Sequence, residues 1–298
     1  MNEINKTLIA FALCCVAGQA LASDWPTPEE IQARFTAMSQ EKQALLDMDD
    51  YARAAIALDT NAQFGVRLDA IESLANNPTP HLDTLEALLK EPDWTLRFAA
   101  IEVIEPVRTD LAYQAAKQLV QEASRSPDAS LLDIPDALWA AALLARMGDA
   151  SAMPFIADQL HHSPSRSLRG TALSALYSYY YLKEAKPYEP IIRFIDQTLP
   201  DLNSSDSHTQ EAALSLLPSA VYKLSMLHAV EALPSFGRWL SAPMPKEVRS
   251  RFESTQRDLE VIKARRENGE PDMRDDPNYK RIPGVTPAWQ LPKTKTDM

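Results

Sequence analysis

The chain has 298 residues, a formal net charge of −11, and 7 glycines against 22 prolines. Acidic character without a basic stripe disfavours nucleic acid and anionic membrane surfaces, whose binding depends on Lys and Arg. The scarcity of glycine, with no G-x-G and no glycine-lysine phosphate loop, excludes the usual nucleotide-binding turns.

The first predicted element is a secretory signal. Met1 to Lys6 is short and polar, Thr7 to Gly18 is apolar, and Ala20-Leu21-Ala22 precedes Ser23-Asp24. A charged start, about a dozen apolar residues and an A-x-A site predict export with cleavage after Ala22. A bilayer span needs roughly 20 apolar residues, so the run is short for a membrane anchor. Cys14 and Cys15 both lie inside it, and Leu13 before Cys14 argues against lipid attachment. Cleavage removes both cysteines, so the mature chain must be held by packing alone. It also removes Glu3 and Lys6 together, leaving the net charge at −11.

Residues 23–60 read as N-terminal capping helices. Thr27-Pro28-Glu29-Glu30 is a capping box with proline at the first helical position. It opens a helix carrying Ile31, Phe35 and Met38. A second helix runs from about Asp49 to Leu58, with Asp49 or Asp50 as its N-cap.

Residues 61–268 contain an internal repeat. Val66-Arg67-Leu68-Asp69-Ala70-Ile71, Leu96-Arg97-Phe98-Ala99-Ala100-Ile101 and Leu168-Arg169-Gly170-Thr171-Ala172-Leu173 share one pattern. Leu138-Trp139-Ala140-Ala141-Ala142-Leu143 keeps the shape without the Arg, and Val248-Arg249 keeps the opening without the Ala. Thr209-Gln210-Glu211-Ala212-Ala213-Leu214 is a weaker copy. Successive starts are 30, 42, 30, 41 and 39 residues apart. Leu88, Leu160 and Leu240 each precede a copy by 8 residues, across links that contain proline. Each unit therefore reads as a helix ending in Leu, a short link, and a second helix opening with an aliphatic-Arg pair. Leu168, Ala172 and Leu176 fall on one helical face, and the small Ala lets neighbouring helices approach closely. The last copy carries Phe252, Leu259 and Ile262 on one face and stops at Asn268-Gly269. The longer steps leave extended links near 105–137 and 178–208, where function is expected to concentrate. From 269 a tail with Pro271, Pro277, Pro283, Pro287 and Pro292 follows, which cannot be a long helix. Its Tyr279, Ile282, Val285 and Trp289 are candidate anchors for the last repeat or a partner.

The stretch from Gly148 to Leu176 resembles one HEAT-like repeat of the short type, and the resemblance extends loosely over residues 60–260. It implies an all-α fold, an α-α superhelix of stacked pairs, and not an activity. In such families the register arginine pairs with acidic groups or carbonyls of the adjacent repeat. That implies a structural role for Arg67, Arg97, Arg169 and Arg249, with Asp69 and Glu102 as possible acceptors. The resemblance also implies that second helices line a concave face.

The sequence shows no catalytic constellation. It has no G-x-S-x-G, no HExxH and no cysteine beyond the signal. Asp158 with His161 or His162 lacks the further ligand a metal site needs. Asp47, Asp49 and Asp50, and Asp275 with Asp276, read as caps or solvated carboxylates. No metal or cofactor is expected. The candidate partner-binding residues are Tyr177, Tyr179, Tyr180, Tyr181 and Trp139. Tyrosine buries ring area while its hydroxyl stays satisfied, and consecutive tyrosines on a helix cannot all face the core. Packing between repeats, for the tyrosines with Pro187 and Tyr188 and for Trp94 and Trp139, stays open beside that reading. The expectation is an exported, non-enzymatic scaffold that binds a protein or peptide on its concave face. It binds no nucleic acid and inserts into no membrane after cleavage. The alternative is an accessory or catalytic component acting on envelope polymers, using tyrosines and carboxylates in the groove.

Overall fold

The structure, a computed structural model, describes residues 28–126, 133–182 and 185–270. The signal region with Cys14, Cys15 and Ala22, the cap Thr27, Leu131 and Leu132, and the tail from Pro271 lie outside the described residues. So do the side chains of Ile31, Phe35 and Met38. The described residues form thirteen α-helices joined by short turns, with no strand. None of these helices is long and apolar enough to cross a membrane. The chain divides into two compact units, Met1–Ser73 and Leu74–Met298.

In the first unit α1 (Pro28–Leu46) and α2 (Asp50–Leu58) both pack against α3 (Phe64–Ser73). Asp49 caps α2 by accepting from the Ala52 amide at 2.7 Å, as an N-cap aspartate should. Leu45, Ala54, Ala57, Ala70 and Ile71 form its core.

The second unit holds five helix pairs. They are α4 (Leu82–Leu88) with α5 (Trp94–Ile104), α6 (Thr109–Arg125) with α7 (Ile134–Arg146), and α8 (Met153–His162) with α9 (Arg166–Tyr177). The last two are α10 (Tyr188–Thr198) with α11 (Ser207–Met226), and α12 (Leu233–Ser241) with α13 (Lys246–Glu267). The six sequence copies open α3, α5, α7, α9, α11 and α13. Within the unit each second helix packs on its own first helix and on the second helices before and after it. The segments expected as long links are mostly helical: α6 and α10 fill them, and α6 has 17 residues where α4 has 7.

The composition of the second helices accounts for this packing. α7 buries Ala137, Leu138 and the whole run from Ala140 to Ala145, so it is enclosed on nearly every side. Its alanines let α5, α6 and α9 come close, and each fully buried Leu contributes roughly 1.5–3 kcal/mol. Leu168, Ala172 and Leu176 of α9 are buried as one stripe, and so are Phe252 and Leu259 of α13.

Polar ties cross between pairs at about the repeat spacing. Thr95 Oγ1 donates to Asp136 at 2.7 Å, 41 residues on. Arg166 donates to Glu211 at 2.7 Å, 45 residues on. Trp239 Nε1 and Arg238 both donate to Asp196, 43 and 42 residues back. His161 Nδ1 lies 2.8 Å from Gln197 Oε1, 36 residues on.

The ends follow from local chemistry. Asp93, Ser165 and Asp206 accept from the amides of Leu96, Leu168 and Thr209, capping α5, α9 and α11. Three second helices end in the same left-handed reversal, with paired amide-to-carbonyl bonds closing the last turn. Gly148 (φ 90°) ends α7 and Gly269 (φ 75°) ends α13. His228 takes the same place after α11 with φ 52°, where a side chain is strained.

Candidate binding surface

The arginine register is built into the fold. Three of the four reach back to the carbonyls that end the preceding first helix. Arg67 Nε donates to Ala57 O at 3.0 Å, and Arg169 Nε to Ser163 O at 2.6 Å. Arg249 donates to Leu240 O at 2.7 Å and Ala242 O at 3.1 Å. A helix leaves its last carbonyls unpaired, and a cation there also meets the negative end of the helix dipole. Arg97 differs: its two terminal nitrogens grip Glu122 of the next pair at 3.2 and 2.6 Å. Asp69 instead receives Lys42, at 2.8 Å, and Glu102 is exposed.

The tyrosine cluster lies beyond its expected helix. α9 ends at Tyr177, and bonds from Tyr179 N to Leu176 O and from Tyr180 N to Tyr177 O tighten the chain into turns. The side chains therefore diverge. Tyr179 is wholly buried and Tyr180 nearly so, which removes both from the candidate surface. Tyr180 instead holds His228, hydroxyl to Nδ1 at 3.3 Å with the rings edge to face. Tyr177 is half-buried, with Lys223 Nζ 5.1 Å above its ring, and burial holds the Lys223 ammonium below its ordinary pKa. Tyr181 is exposed and meets Tyr180 edge to face. Pro187 is buried, Tyr188 is half-buried, and so is Trp94.

Four large side chains on and just after consecutive second helices stay exposed: Trp139 at 40%, Tyr181 at 42%, Leu214 at 38% and Tyr222 at 46%. Each second helix covers its flanks with its neighbours and its back with its first helix. Lys223 of α11, over the Tyr177 ring, ties α9 to α11, while Trp139 is the exposed large residue of α7. Leu214, Pro218 and Tyr222 recur every fourth residue, one helical face. Pro218 has no N–H, so the Leu214 carbonyl on that face receives no helical bond. Arg251 of α13 lies 5.3 Å above the Tyr222 ring, extending the row to a fourth helix. Leu214 and Tyr222 were not among the sequence candidates. Their signal was present, since both fall off the stripe of Ala213, Leu216, Leu217, Ala220 and Leu224 that α11 buries.

One carboxylate beside this row is perturbed. Asp136, one turn before Trp139, is pushed up to about 6, chiefly by burial, against the Thr95 hydrogen bond. Asp93, Asp133 and Glu102 raise it further by repulsion. The first unit exposes apolar groups of its own, with Tyr51 and Leu58 on α2 and Phe64 at the start of α3.

The other titratable candidates are engaged locally. His162 Nδ1 lies 2.8 Å from Asp158, Asp47 accepts from Gln43, and Asp50 accepts from Arg53. Among the described residues no three His, Cys, Asp or Glu side chains gather as a metal site. Asp275 and Asp276 lie outside the described residues. No protein-family model matches the chain, and no curated protein matches it.

Proposed function

We propose that this chain is an exported HEAT-like repeat protein, a non-enzymatic scaffold that holds a protein or peptide partner on its second-helix face. The observation that carries this reading is the set of exposed large side chains on or just after three successive second helices, Trp139, Tyr181, Leu214 and Tyr222, with Tyr177 half-buried beside them. Monomer surfaces leave single apolar residues exposed, but a row of aromatics flanked by charge has the composition of an interaction hot spot. Asp93, Glu102, Asp133 and Asp136 near Trp139 make a basic partner the better fit, in keeping with the net charge of −11. The pairwise packing of helices supports the stacked superhelix, in which this side is the concave one. The signal-like N-terminus supports export.

Crosslinking in the periplasm followed by mass spectrometry tests the reading. Wild-type chain should capture a defined protein, and Trp139→Ala with Tyr222→Ala should lose it, each truncation costing about 2 kcal/mol of binding or more. Each side chain keeps more than half of its surface covered, so a circular dichroism spectrum and unfolding curve of the double variant should show it folded before capture is read. Capture unchanged by the double variant overturns the proposal.

One observation favours a second reading. A carboxylate that titrates near 6 beside an exposed tryptophan suits a general acid working on a polysaccharide. Cleavage of envelope polysaccharide by the purified chain, abolished in Asp136→Asn, would replace the scaffold with that enzyme.

A further inference from the structure

A cleft of about 360 Å³ opens where the N-terminal ends of α9 and α11 meet the C-terminal end of α10. Pro164, Arg166 and Arg169 line one side, and Thr198 and Asp201 another. His208, Thr209, Ala212, Ala213 and Leu216 of α11 complete it. None of the exposed aromatic row lines it, so it is independent of the scaffold reading. Its volume falls within the range of small-molecule sites.

The polar groups in this cleft have unused capacity. Arg249 and Arg97 spend both terminal guanidinium nitrogens on protein acceptors. Arg169 is held only through Nε, leaving its two terminal nitrogens without a partner among the described residues. Thr198 is 5% exposed overall and lines the cleft. The Asp201 carboxylate is likewise uncommitted. Two helix N-termini add positive potential at the same place.

We infer that this cleft binds a small amino-acid-like zwitterion. The ligand carboxylate accepts from the Arg169 terminal nitrogens and the Thr198 hydroxyl, a fork-to-carboxylate match with one further donor. The ligand ammonium donates to Asp201. Its aliphatic part lies on Ala212, Ala213 and Leu216. The two opposite charges of the cleft then meet the two of the ligand, which neither a simple anion nor an amine does.

The test is an amide-resolved NMR titration of the full chain with a panel of L- and D-amino acids, with acetate and n-butylamine as single-charge probes. At least one amino acid should shift amides around 163–169, 198–201 and 208–213 saturably, at concentrations where acetate and n-butylamine do not. Thr198→Val removes the hydroxyl at constant shape, and Asp201→Asn removes the ammonium acceptor. Each should weaken binding about tenfold or more while the urea unfolding midpoint stays near wild type. Three results overturn the inference: no saturable shift in these segments, acetate binding as tightly as every amino acid, or both variants binding like wild type.

Discussion

At the residue scale the interior of the second unit has two polar groups whose costs can be measured. Tyr179 is fully buried, burial pushes its phenol up, and its hydroxyl has no hydrogen-bond partner among the described residues. A buried donor left unsatisfied costs about 1–3 kcal/mol, so the hydroxyl opposes the packing that its ring supplies. Tyr179→Phe keeps the ring and should raise stability by about 1 kcal/mol in urea unfolding. A clear loss of stability would mean that the hydroxyl is satisfied. Asp136 is the second group. Its folded pKa of about 6 lies above the ordinary 3.8 because burial and three nearby carboxylates disfavour the charged form. The folded state then holds the proton more tightly than the unfolded state. The stabilising contribution is fully present below about pH 4 and is lost as pH rises through 6. Asp136→Asn can still accept from Thr95 but cannot ionise. Relative to wild type it should gain about 2–3 kcal/mol at pH 7.5 and nothing near pH 4. Unfolding curves across that range check both ends, and equal gains at both would rule out titration of Asp136 as the cause.

At the element scale the second helices were legible and their partners were not. An aliphatic-Arg opening and a four-residue apolar spacing are local properties, and the copies that carry them fall on α3, α5, α9 and α13. The acceptor of each Arg was hidden because most are main-chain carbonyls, which every residue carries. Arg97 uses a side chain, Glu122, 25 residues on, and nothing in the sequence distinguishes Glu122 from other acids. The tyrosines were only partly legible for a related reason. α9 stops at Tyr177 without a Gly or Pro to mark the end, so the sequence could say that not all of the tyrosines are buried but not which one is exposed. The cleft drew on residues up to 52 apart, from Pro164 to Leu216, beyond any local pattern. The register yields its own prediction. Glu122→Ala leaves the Arg97 guanidinium, 7% exposed, without its carboxylate. The cost should be about 1–2 kcal/mol, smaller than for a fully buried pair because Glu122 is partly open to solvent. Arg67, Arg169 and Arg249 each also hold a backbone carbonyl, which no side-chain change removes. Alanine at Asp69, which pairs outside the register, should therefore cost less than alanine at Glu122, and the reverse order in thermal unfolding would remove Arg97–Glu122 from the inter-pair contacts that matter.

At the scale of the whole molecule the charge is unevenly spread along the chain. Residues 279–296 contain Lys280, Arg281, Lys293 and Lys295 and no acid, so four of the positive charges fall there and the remainder carries −15. An acidic body that favours basic partners therefore carries a basic segment with Tyr279, Ile282, Val285 and Trp289 of its own. Two arrangements follow: the tail competes with a partner for the carboxylates around Asp136, or the tail is itself what a larger assembly grips. Deleting residues 279–296 separates them. The last described helix ends at Glu267 and the tail carries five prolines, so helical circular dichroism should be unchanged in either case. If the tail competes, the truncated chain should capture its partner more tightly, and the gain should shrink as salt rises because surface charges are screened within about 8 Å at physiological ionic strength. If the tail is the grip, capture should vanish on truncation and survive Trp139→Ala with Tyr222→Ala. The scaffold reading predicts that capture survives the truncation, since it places the binding energy in the aromatic row. The second pattern would move the interaction off the helices altogether, making the repeat unit a spacer that presents its C-terminus.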